Sequence, residues 1–573
     1  MRFNEWVVTG FDRDAATAMF RRGINPLASV FMCTRGITNF EDAIDYINDK
    51  PSDIHDPMLL DDMDKAVARV ELALERHEKI VVFGDYDVDG MTASALMQSY
   101  LTKRGASCEI YIPGRIDEGY GLNFAALDYL SGIGTNLIVT VDCGITALEE
   151  AQRAKELGIE LVITDHHECR ETLPEAVAVV NPKRPGNTYP NRALAGVGVA
   201  FKLVCALEQG RNVSELLREY GDFVALGTVA DVMPVVGENR ALIRAGLQRL
   251  SKNPRPGLSV LMKSCGASPS TLNTATLGFT LAPRLNAAGR MGNTSLAIDI
   301  LLTDDPKESV RLTEELNRLN LQRRELESAI FSEVEERLDG LTVDSPVVMY
   351  GENWYQGVMG IVAARTAERW MRPSVMINIG EDGLGRGSCR SYGGFKICSA
   401  LQQCSDLLIN YGGHEMAAGI SVTKENIEPL RARLSQLYHE EVLVAPVSNL
   451  YIDFEVHKSK LLDLQNVEAL WRLEPFGNGN LPPHLMICGA YVTQLTSVGT
   501  GKHTRLRVEH DKTSFDCIYF GVESEMLGFT QGDCIDIAFE PHINEFRGHR
   551  SVQLHVMDIR AFNPEVADTN DKG

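Results

Sequence analysis

The sequence has no apolar run long enough to span a bilayer, no C-x-x-C pair and no excess of basic residues. A transmembrane helix needs about 20 consecutive apolar residues, so we expect no membrane-spanning segment. The 12 cysteines, from Cys33 to Cys534, have no regular spacing, which predicts reduced cysteines rather than a disulfide framework. The first residues, MRFNEWVVTGFDRD, lack the basic-then-apolar pattern of a signal peptide, so we expect a cytoplasmic protein.

The net charge is −22, and this shortage of positive charge disfavours general nucleic-acid binding, because phosphate contacts require lysine and arginine. It does not exclude a nucleic-acid substrate, since metal-binding carboxylates contribute to the total and a basic groove can be local. With 573 residues and 44% apolar content, the chain is predicted to form about three to four globular domains.

The residue patterns predict an α/β protein with several parts. Short apolar strands alternate with helical segments (KIVVFG, NLIVTV and ELVIT), which predicts a parallel sheet covered by helices. One helix of roughly 45 Å follows, and then a second α/β domain and short alternating strands typical of an OB-fold barrel. The predicted parts are a helical segment 1–75, the first α/β domain 76–305, the bridging helix 306–340, the second α/β domain 341–446, the barrel 447–562 and a disordered tail 563–573.

Acidic and histidine side chains follow the predicted strands in DYDVDG, VDCG and TDHHE, and ADVMP comes later. Ligands of parallel sheets bind beyond the carboxyl ends of the strands, so these side chains are predicted to converge. They are Asp85, Asp87, Asp142, Asp165, His166, His167 and Asp231. Packed carboxylates repel unless a cation lies between them, and oxygen ligands with imidazoles suit Mn²⁺ or Mg²⁺ better than structural zinc.

A single D-x-D-x-D pattern is also compatible with a calcium loop or a solvated turn. Several clusters at successive strand ends favour the metal site instead. Two divalent ions in such a site can activate water and stabilise displacement at phosphorus.

The motifs DYDVDG, VDCG, TDHH and ADVMP, in this order, resemble the DHH phosphoesterase superfamily. LAPRLNAAGRM, GRGSCRS and GGHEMAAG extend the resemblance to the RecJ-like, single-strand-specific DNA exonucleases, over residues from about 55 to 560. The resemblance implies a DHH catalytic domain, a DHHA1-type second domain, and two Mn²⁺ or Mg²⁺ ions. Asp85, Asp87, Asp142, His166 and Asp231 would then be the metal ligands, with Asp142 bridging the two ions and His167 facing the scissile phosphate.

Other positions have weaker or different implications. For Asp89 a metal ligand and a turn or supporting carboxylate both stay open, Asp165 is expected to orient a histidine, and the histidine of RecJ-like proteins near the position of Phe83 is absent. GRGSCRS is predicted to be a phosphate cradle formed by backbone N–H groups and side chains. By the resemblance, Arg115, Ser388 and Arg390 would recognise the 5′ end, and Arg284 and His414 would line the groove. A solvated helix face is the expectation for Gln322.

The predicted barrel interleaves basic and aromatic residues, a pattern typical of proteins that stack single-stranded bases. These residues are Lys502, His503, Arg505, Arg507, His542, Arg547, His549 and Arg550, with Tyr519, Phe520 and Phe546. The resemblance implies a 5′→3′ exonuclease that acts on single-stranded DNA in repair and recombination. It would work as a monomer alongside a single-strand-binding protein and a RecQ-type helicase. The alternatives are a phosphodiesterase of oligoribonucleotides or cyclic dinucleotides and a non-catalytic replication scaffold.

Overall fold

The computed structural model of the chain describes residues 3, 5–48, 53–115, 118–209, 211–269, 271–441, 449–499 and 501–562. The tail predicted to be disordered, 563–573, lies outside these residues. The chain forms two compact units: Met1–Asp53 together with Val447–Gly573, and Ile54–Pro446. Among the described helices, none combines the length and the apolar character that crossing a membrane requires.

The N-terminal part of the first unit contains strand β1 (Glu5–Val8) and helices α1 (Arg13–Arg21), α2 (Pro26–Thr34) and α3 (Phe40–Asn48). Asp12 and Asn25 cap α1 and α2 by accepting backbone N–H groups of the first turn. The apolar faces of α1 and α2 are buried in one core with the C-terminal barrel. The segment predicted over 1–75 is therefore divided, because residues from Ile54 onward belong to the other unit.

The second unit begins with α4 (Met63–Glu75) and a five-stranded sheet in which every neighbouring pair is parallel. The strand order is β3-β2-β4-β5-β6. Core clusters cover both faces of the sheet, which explains its near-continuous apolar strands and confirms the predicted α/β class. The elements are β2 (Lys79–Phe83), α5 (Val88–Lys103), β3 (Ser107–Tyr111), α6 (Phe124–Gly132), β4 (Leu137–Val141), α7 (Leu148–Glu156), β5 (Glu160–Thr164), β6 (Ala178–Val180) and α8 (Gly196–Leu207).

A run of helices follows this sheet: α9 (Val213–Ala230), α10 (Gly237–Lys252), α11 (Pro256–Ser264), a π-helix (Thr276–Leu281), α12 (Ala282–Arg290), α13 (Thr294–Leu302) and α14 (Pro306–Leu338). Helix α14 has 33 residues, and Asp305 caps its first turn. At about 1.5 Å per residue it is roughly 50 Å long. It packs against α11, α12 and α13 and also against the next helix, α15 (Met359–Trp370).

The second sheet has the order β10-β11-β9-β8-β7, and only the pair β7–β8 is parallel. Its elements are β7 (Val347–Glu352), β8 (Ser374–Ile379), β9 (Leu384–Arg390), α16 (Ile397–Gln402), β10 (Leu408–His414), β11 (Ala417–Thr423) and α17 (Ile427–Glu441). The first six residues of GRGSCRS thus belong to a central strand. Its backbone pairs with β8 and β11, so the prediction that its N–H groups form a phosphate cradle is wrong.

The C-terminal part of the first unit is a closed barrel, as predicted, because β14 pairs with both β15 and β17. Its elements are β12 (Asn449–Ile452), β13 (Phe454–Glu455), α18 (Leu464–Trp471), β14 (Leu485–Val498), β15 (His503–His510), β16 (Thr513–Tyr519), β17 (Cys534–Phe546) and β18 (His549–Ala561). Strand β1 pairs in parallel with β12, which ties the N-terminal residues to the barrel.

Candidate metal centre and substrate groove

The predicted metal ligands converge at the carboxyl ends of the first sheet. Asp85 and Asp87 follow β2, Asp142 follows β4, His166 follows β5, and Asp231 ends α9. Three groups of ligand atoms each lie within 4.8 Å of one another. They are Asp85–Asp87–Asp142, Asp142–His166–His167 and Asp89–His166–Asp231.

Asp142 belongs to two of these groups and is held in an unusual backbone conformation. Its φ is +61°, in the left-handed region that non-glycine residues rarely adopt. Its N–H donates to the carbonyl oxygen of Thr164 at 3.1 Å, while Tyr120 Oη donates to its carbonyl oxygen at 3.2 Å. Such strain persists at functional sites when surrounding contacts determine the conformation. The Asp142 carboxylate thus belongs to two candidate metal groups and sits on a strained backbone.

Several ligand atoms of this cluster have no hydrogen-bond partner. They are Asp85 Oδ1, Asp142 Oδ1, Asp231 Oδ2 and His166 Nε2, and all are buried. His166 Nε2 lies 3.0 Å from Asp142 Oδ1 and 3.6 Å from Asp231 Oδ2 without making a hydrogen bond to either. Buried polar atoms are nearly always satisfied, so this arrangement fits divalent cations with oxygen and imidazole ligands.

The electrostatics of the carboxylates agree with this fit. Burial, and then the charges of Asp89, Asp87, Asp85 and Asp231, raise the pKa of Asp142 well above its usual range. Burial and Asp87 likewise raise the pKa of Asp85, and they raise that of Asp231 to about 7. Without a cation these groups resist ionisation, and a bound cation would relieve the repulsion between them.

Asp89 and Asp165 have the contacts of supporting residues. Both carboxylate oxygens of Asp89 accept backbone N–H groups, from Gly196 at 2.6 Å and Val197 at 2.8 Å, at the start of α8. Asp165 accepts the N–H groups of Ile145, at 2.9 Å, and His166, at 2.7 Å. These hydrogen bonds hold in place the loops that carry the candidate ligands. Asp89 also belongs to one of the three candidate groups.

His167 is oriented by Asp165, whose Oδ1 lies 2.7 Å from His167 Nδ1. Burial disfavours the charged ring, but the hydrogen bond and charge of Asp165 raise the pKa of His167 to about 9. The ring of His414 is nearly parallel to that of His167, with the centroids 6.5 Å apart. The structure thus brings both histidines to one side of the metal centre. Sequence analysis missed Tyr120, whose Oη lies 3.2 Å from His167 Nδ1.

Phe83 supplies no ligand to this site. Its side chain is fully buried in the core beneath the sheet, and its ring stacks on Tyr111 with centroids 5.3 Å apart. The group Asp85–Asp87–Asp142 therefore consists of carboxylates alone.

A cluster of arginines adjoins the metal centre. Arg115 lies over the ring of Tyr86, and Arg390 donates to Ser388 Oγ at 3.1 Å. Sequence analysis missed Arg290, which donates to the carbonyl oxygen of Gly357 at 3.3 Å. Burial, and then the charges of Arg115, Arg323 and Arg390, lower the pKa of Arg290 to about 9. In the part of the chain that the structure describes, the ion pairs include none of Arg115, Arg290 or Arg390.

Arg284, a predicted groove residue, differs from this cluster in its contacts. Arg284 donates to the carbonyl oxygen of Thr280 at 2.6 Å and to Asn317 Oδ1 at 3.1 Å, so its guanidinium is held between helices. Gln322 is exposed on α14, as expected for a solvated helix face.

The barrel surface carries a continuous series of aromatic rings. His503 contacts Phe520, Phe520 contacts His555, His555 stacks on His542 with centroids 3.8 Å apart, and His542 contacts Trp471. Sequence analysis missed His555 and Trp471. The ring of Tyr519 is buried in the barrel interior and is not part of this surface. Of the predicted basic residues, Arg505 pairs with Asp516 and Arg550 with Glu468.

Three family models match the chain. The DHH family, N-terminal domain, matches residues 79–228; the DHHA1 domain matches residues 344–440; and the RecJ OB domain matches residues 452–558. The metal centre and the first sheet are therefore those of a DHH phosphoesterase.

Comparison with individual relatives shows which family of DHH proteins the chain belongs to. The chain is 35% identical to the single-stranded-DNA-specific exonuclease RecJ of Bacillus subtilis, over 99% of this chain and 72% of the relative. It is 34% identical to the RecJ of Escherichia coli, over 87% of this chain and 90% of that relative. A crystal structure of Thermus thermophilus RecJ in complex with Mn²⁺ has 29% identity and a TM-score of 0.83, covering 98% of this chain and 80% of that one. The chain belongs to the RecJ family of single-stranded-DNA-specific exonucleases.

Proposed function

We propose that the protein is a metal-dependent exonuclease that hydrolyses single-stranded DNA from its 5′ end to mononucleotides. The observation that carries this proposal is a set of unpartnered carboxylate and imidazole atoms beside a cluster of unpaired arginines. The first feature suits two Mn²⁺ or Mg²⁺ ions, and the second suits a phosphate at the end of a strand.

Asp85, Asp87, Asp142, His166 and Asp231 would hold the two ions, with Asp142 shared between them. When bound, such ions lower the pKa of a coordinated water and offset the negative charge that develops at phosphorus. His167 is positioned by Asp165 through Nδ1, so its Nε2 is the ring nitrogen left to donate a hydrogen bond to a phosphate oxygen. His414, parallel to it, would help to keep the phosphate in this orientation.

Arg115, Arg290, Arg390 and Ser388 would bind the terminal phosphate. A terminal phosphate carries more negative charge than an internal phosphodiester, and guanidinium groups recognise it through charge-assisted hydrogen bonds. Burial, and then repulsion by neighbouring guanidinium groups, lower the pKa of Arg290, and phosphate binding would relieve that repulsion. The cluster would thereby set the polarity of digestion.

The barrel would bind the rest of the strand through the aromatic series from His503 to Trp471, since base stacking is insensitive to sequence. A helicase of the RecQ type and a single-strand-binding protein are proposed partners, because an exonuclease of this kind requires an unwound strand. We also propose a cytoplasmic location and a monomeric state.

The test is digestion of a single-stranded oligonucleotide labelled at either end, in the presence of Mn²⁺. Release of labelled mononucleotide from the 5′ end, before any from the 3′ end, is the expected result. Digestion from the 3′ end, or hydrolysis of dinucleotides with no activity on the long strand, would contradict the proposal.

A further inference from the structure

Phe279 is the most exposed large apolar side chain among the described residues, with 84% of its surface accessible. It lies in the π-helix Thr276–Leu281, which runs directly into α12. Pro283, four residues after Phe279, has no N–H to donate to the Phe279 carbonyl, and its ring would clash with that carbonyl in a regular α-helix. The wider π-helical turn is the consequence, and such turns are frequent at functional sites.

The π-helix packs against the end of α9, which carries the metal-site residue Asp231. A Cβ atom on Gly278 would lie 3.4 Å from Val229 Cγ1, and Val229 accepts the N–H of Val232 in the turn that contains Asp231. Val232 has a φ of +57°, which is rare for a β-branched residue, and 65% of its surface is exposed. An exposed apolar surface thus lies beside a ligand of the metal centre.

The opposite end of the same helical segment reaches the arginine cluster. Gly289 approaches the carbonyl oxygen of Tyr86, the residue between Asp85 and Asp87, so closely that a side chain there would clash. Arg290 follows it. From Phe279 to Arg290 the helical segment is about 16 Å long at about 1.5 Å per residue. One segment therefore runs from the arginine cluster, past the Asp85–Asp87 loop, to Phe279.

We propose that Phe279 stacks on a base of the single strand on the 3′ side of the scissile phosphate. This inference rests on the proposed function, because it takes the arginine cluster as the site of the 5′ end. A strand that begins there and passes the metal centre continues toward Phe279. The faces of a base in a duplex are covered by its neighbours, so a stacking residue at this position selects unpaired strands.

The experiment uses the full-length protein with Mn²⁺ and a 5′-phosphorylated single-stranded oligonucleotide. Phe279→Ala should raise KM about ten-fold and leave kcat close to that of the wild type, because the ring contributes binding and not chemistry. Phe279→Trp should retain the wild-type KM, whereas Phe279→Leu should resemble Phe279→Ala, because leucine is apolar but has no flat ring. Phe20→Ala is the matched control, since Phe20 is 53% exposed and lies in the other unit.

A second measurement locates the base. Replacing single nucleotides near the 5′ end by abasic ones should raise KM at one position in the wild type. That replacement should have no further effect in Phe279→Ala, because the two changes remove the same contact. A KM for Phe279→Ala equal to that of Phe20→Ala, or effects that add at every position, would overturn the inference. If instead the wild type did not degrade the strand at all, the proposed function would fail first.

Discussion

Gly196 lies against Asp142 so closely that a Cβ atom added to Gly196 would be 2.6 Å from Asp142 Oδ1. The same glycine donates its N–H to Asp89, so the start of α8 contacts two acidic loops of the site. The position of the Asp142 carboxylate therefore depends on the absence of a side chain at Gly196 in a neighbouring helix. Residues that orient ligands can matter nearly as much as the ligands.

Gly196→Ala should displace Asp142 and weaken metal binding. We expect a loss of about 10- to 100-fold in Mn²⁺ affinity or in activity, with the fold retained. Calorimetric titration with Mn²⁺ measures the affinity directly. The matched control is Gly132→Ala, where a Cβ atom would meet nothing within 4 Å. Equal Mn²⁺ affinity in the two variants would show that α8 does not position Asp142.

Asp142→Asn should reduce the rate of hydrolysis by several orders of magnitude, since it would remove the ligand that we propose both ions share. The metal-free variant should be at least as stable as the metal-free wild type, because one of the mutually repelling buried carboxylates has gone. In the wild type, Mn²⁺ at about 100 times its Kd should stabilise the fold by about 2.7 kcal/mol.

Thermal unfolding with and without Mn²⁺ tests this second effect. The increase in Tm on adding Mn²⁺ should disappear in Asp142→Asn and persist in Asp304→Asn, a change at an exposed aspartate. Turnover near that of the wild type in a folded Asp142→Asn protein would rule out the proposed ligand set.

Arg390→Ala should reduce the preference for a 5′-phosphorylated strand over a 5′-hydroxyl strand by about ten-fold or more. Each charge-assisted hydrogen bond to the phosphate contributes roughly 1.5–3 kcal/mol. Lysine at this position should restore the preference only in part, because it lacks the planar guanidinium. The control is Arg386→Ala on the same strand, where the guanidinium pairs with Asp382. An undiminished preference in Arg390→Ala would place end recognition elsewhere.

The fragment 54–446 should retain the metal centre and hydrolyse short strands at saturation with a kcat close to that of the whole chain. Its affinity for long strands should fall by about ten-fold or more, and the dependence of binding on salt should become weaker. Anisotropy titrations at several salt concentrations measure both. Unchanged affinity and salt dependence would mean that the barrel does not bind DNA.

Phe31→Ala should destabilise the unit formed by the barrel and the N-terminal helices by about 3–5 kcal/mol, because Phe31 is fully buried there and packs on Phe476. Phe20→Ala, at an exposed position in the preceding helix, should change stability by about 0.5 kcal/mol at most. Denaturant unfolding followed by tryptophan fluorescence compares the two variants. Similar midpoints for the two variants would show that α2 is not part of the barrel core.

The sequence was most informative where function depends on strand order. Asp85, Asp142 and His166 follow apolar strands that are recognisable without a structure, and a parallel sheet brings their ends together. The second domain was harder to predict, because GRGSCRS was interpreted as a phosphate cradle and not as a strand. Its Gly385, Gly387 and Cys389 alternate with Arg386, Ser388 and Arg390, and the first three are buried. Such alternation is typical of a strand, but it was overlooked because glycine is usually associated with turns.

The association of α1 and α2 with the barrel could not be predicted, since local patterns do not show which distant segment covers an apolar face. Arg290 was missed for a related reason. Its motif, LAPRLNAAGRM, contains both Arg284 and Arg290. Only the packing distinguishes an arginine held between helices from one that lies near two other arginines.

The division of one core between the two ends of the chain has a consequence during synthesis. Helices α1 and α2 leave the ribosome before the residues Ile54–Pro446, and the barrel strands that cover Phe31 follow only afterwards. At a synthesis rate of about 5–20 residues per second, roughly 20–80 s pass between the synthesis of these helices and that of the barrel strands. Throughout that interval Leu27 and Phe31 lack the barrel side of their core. The nascent chain therefore offers a binding surface for chaperones that the finished protein has lost.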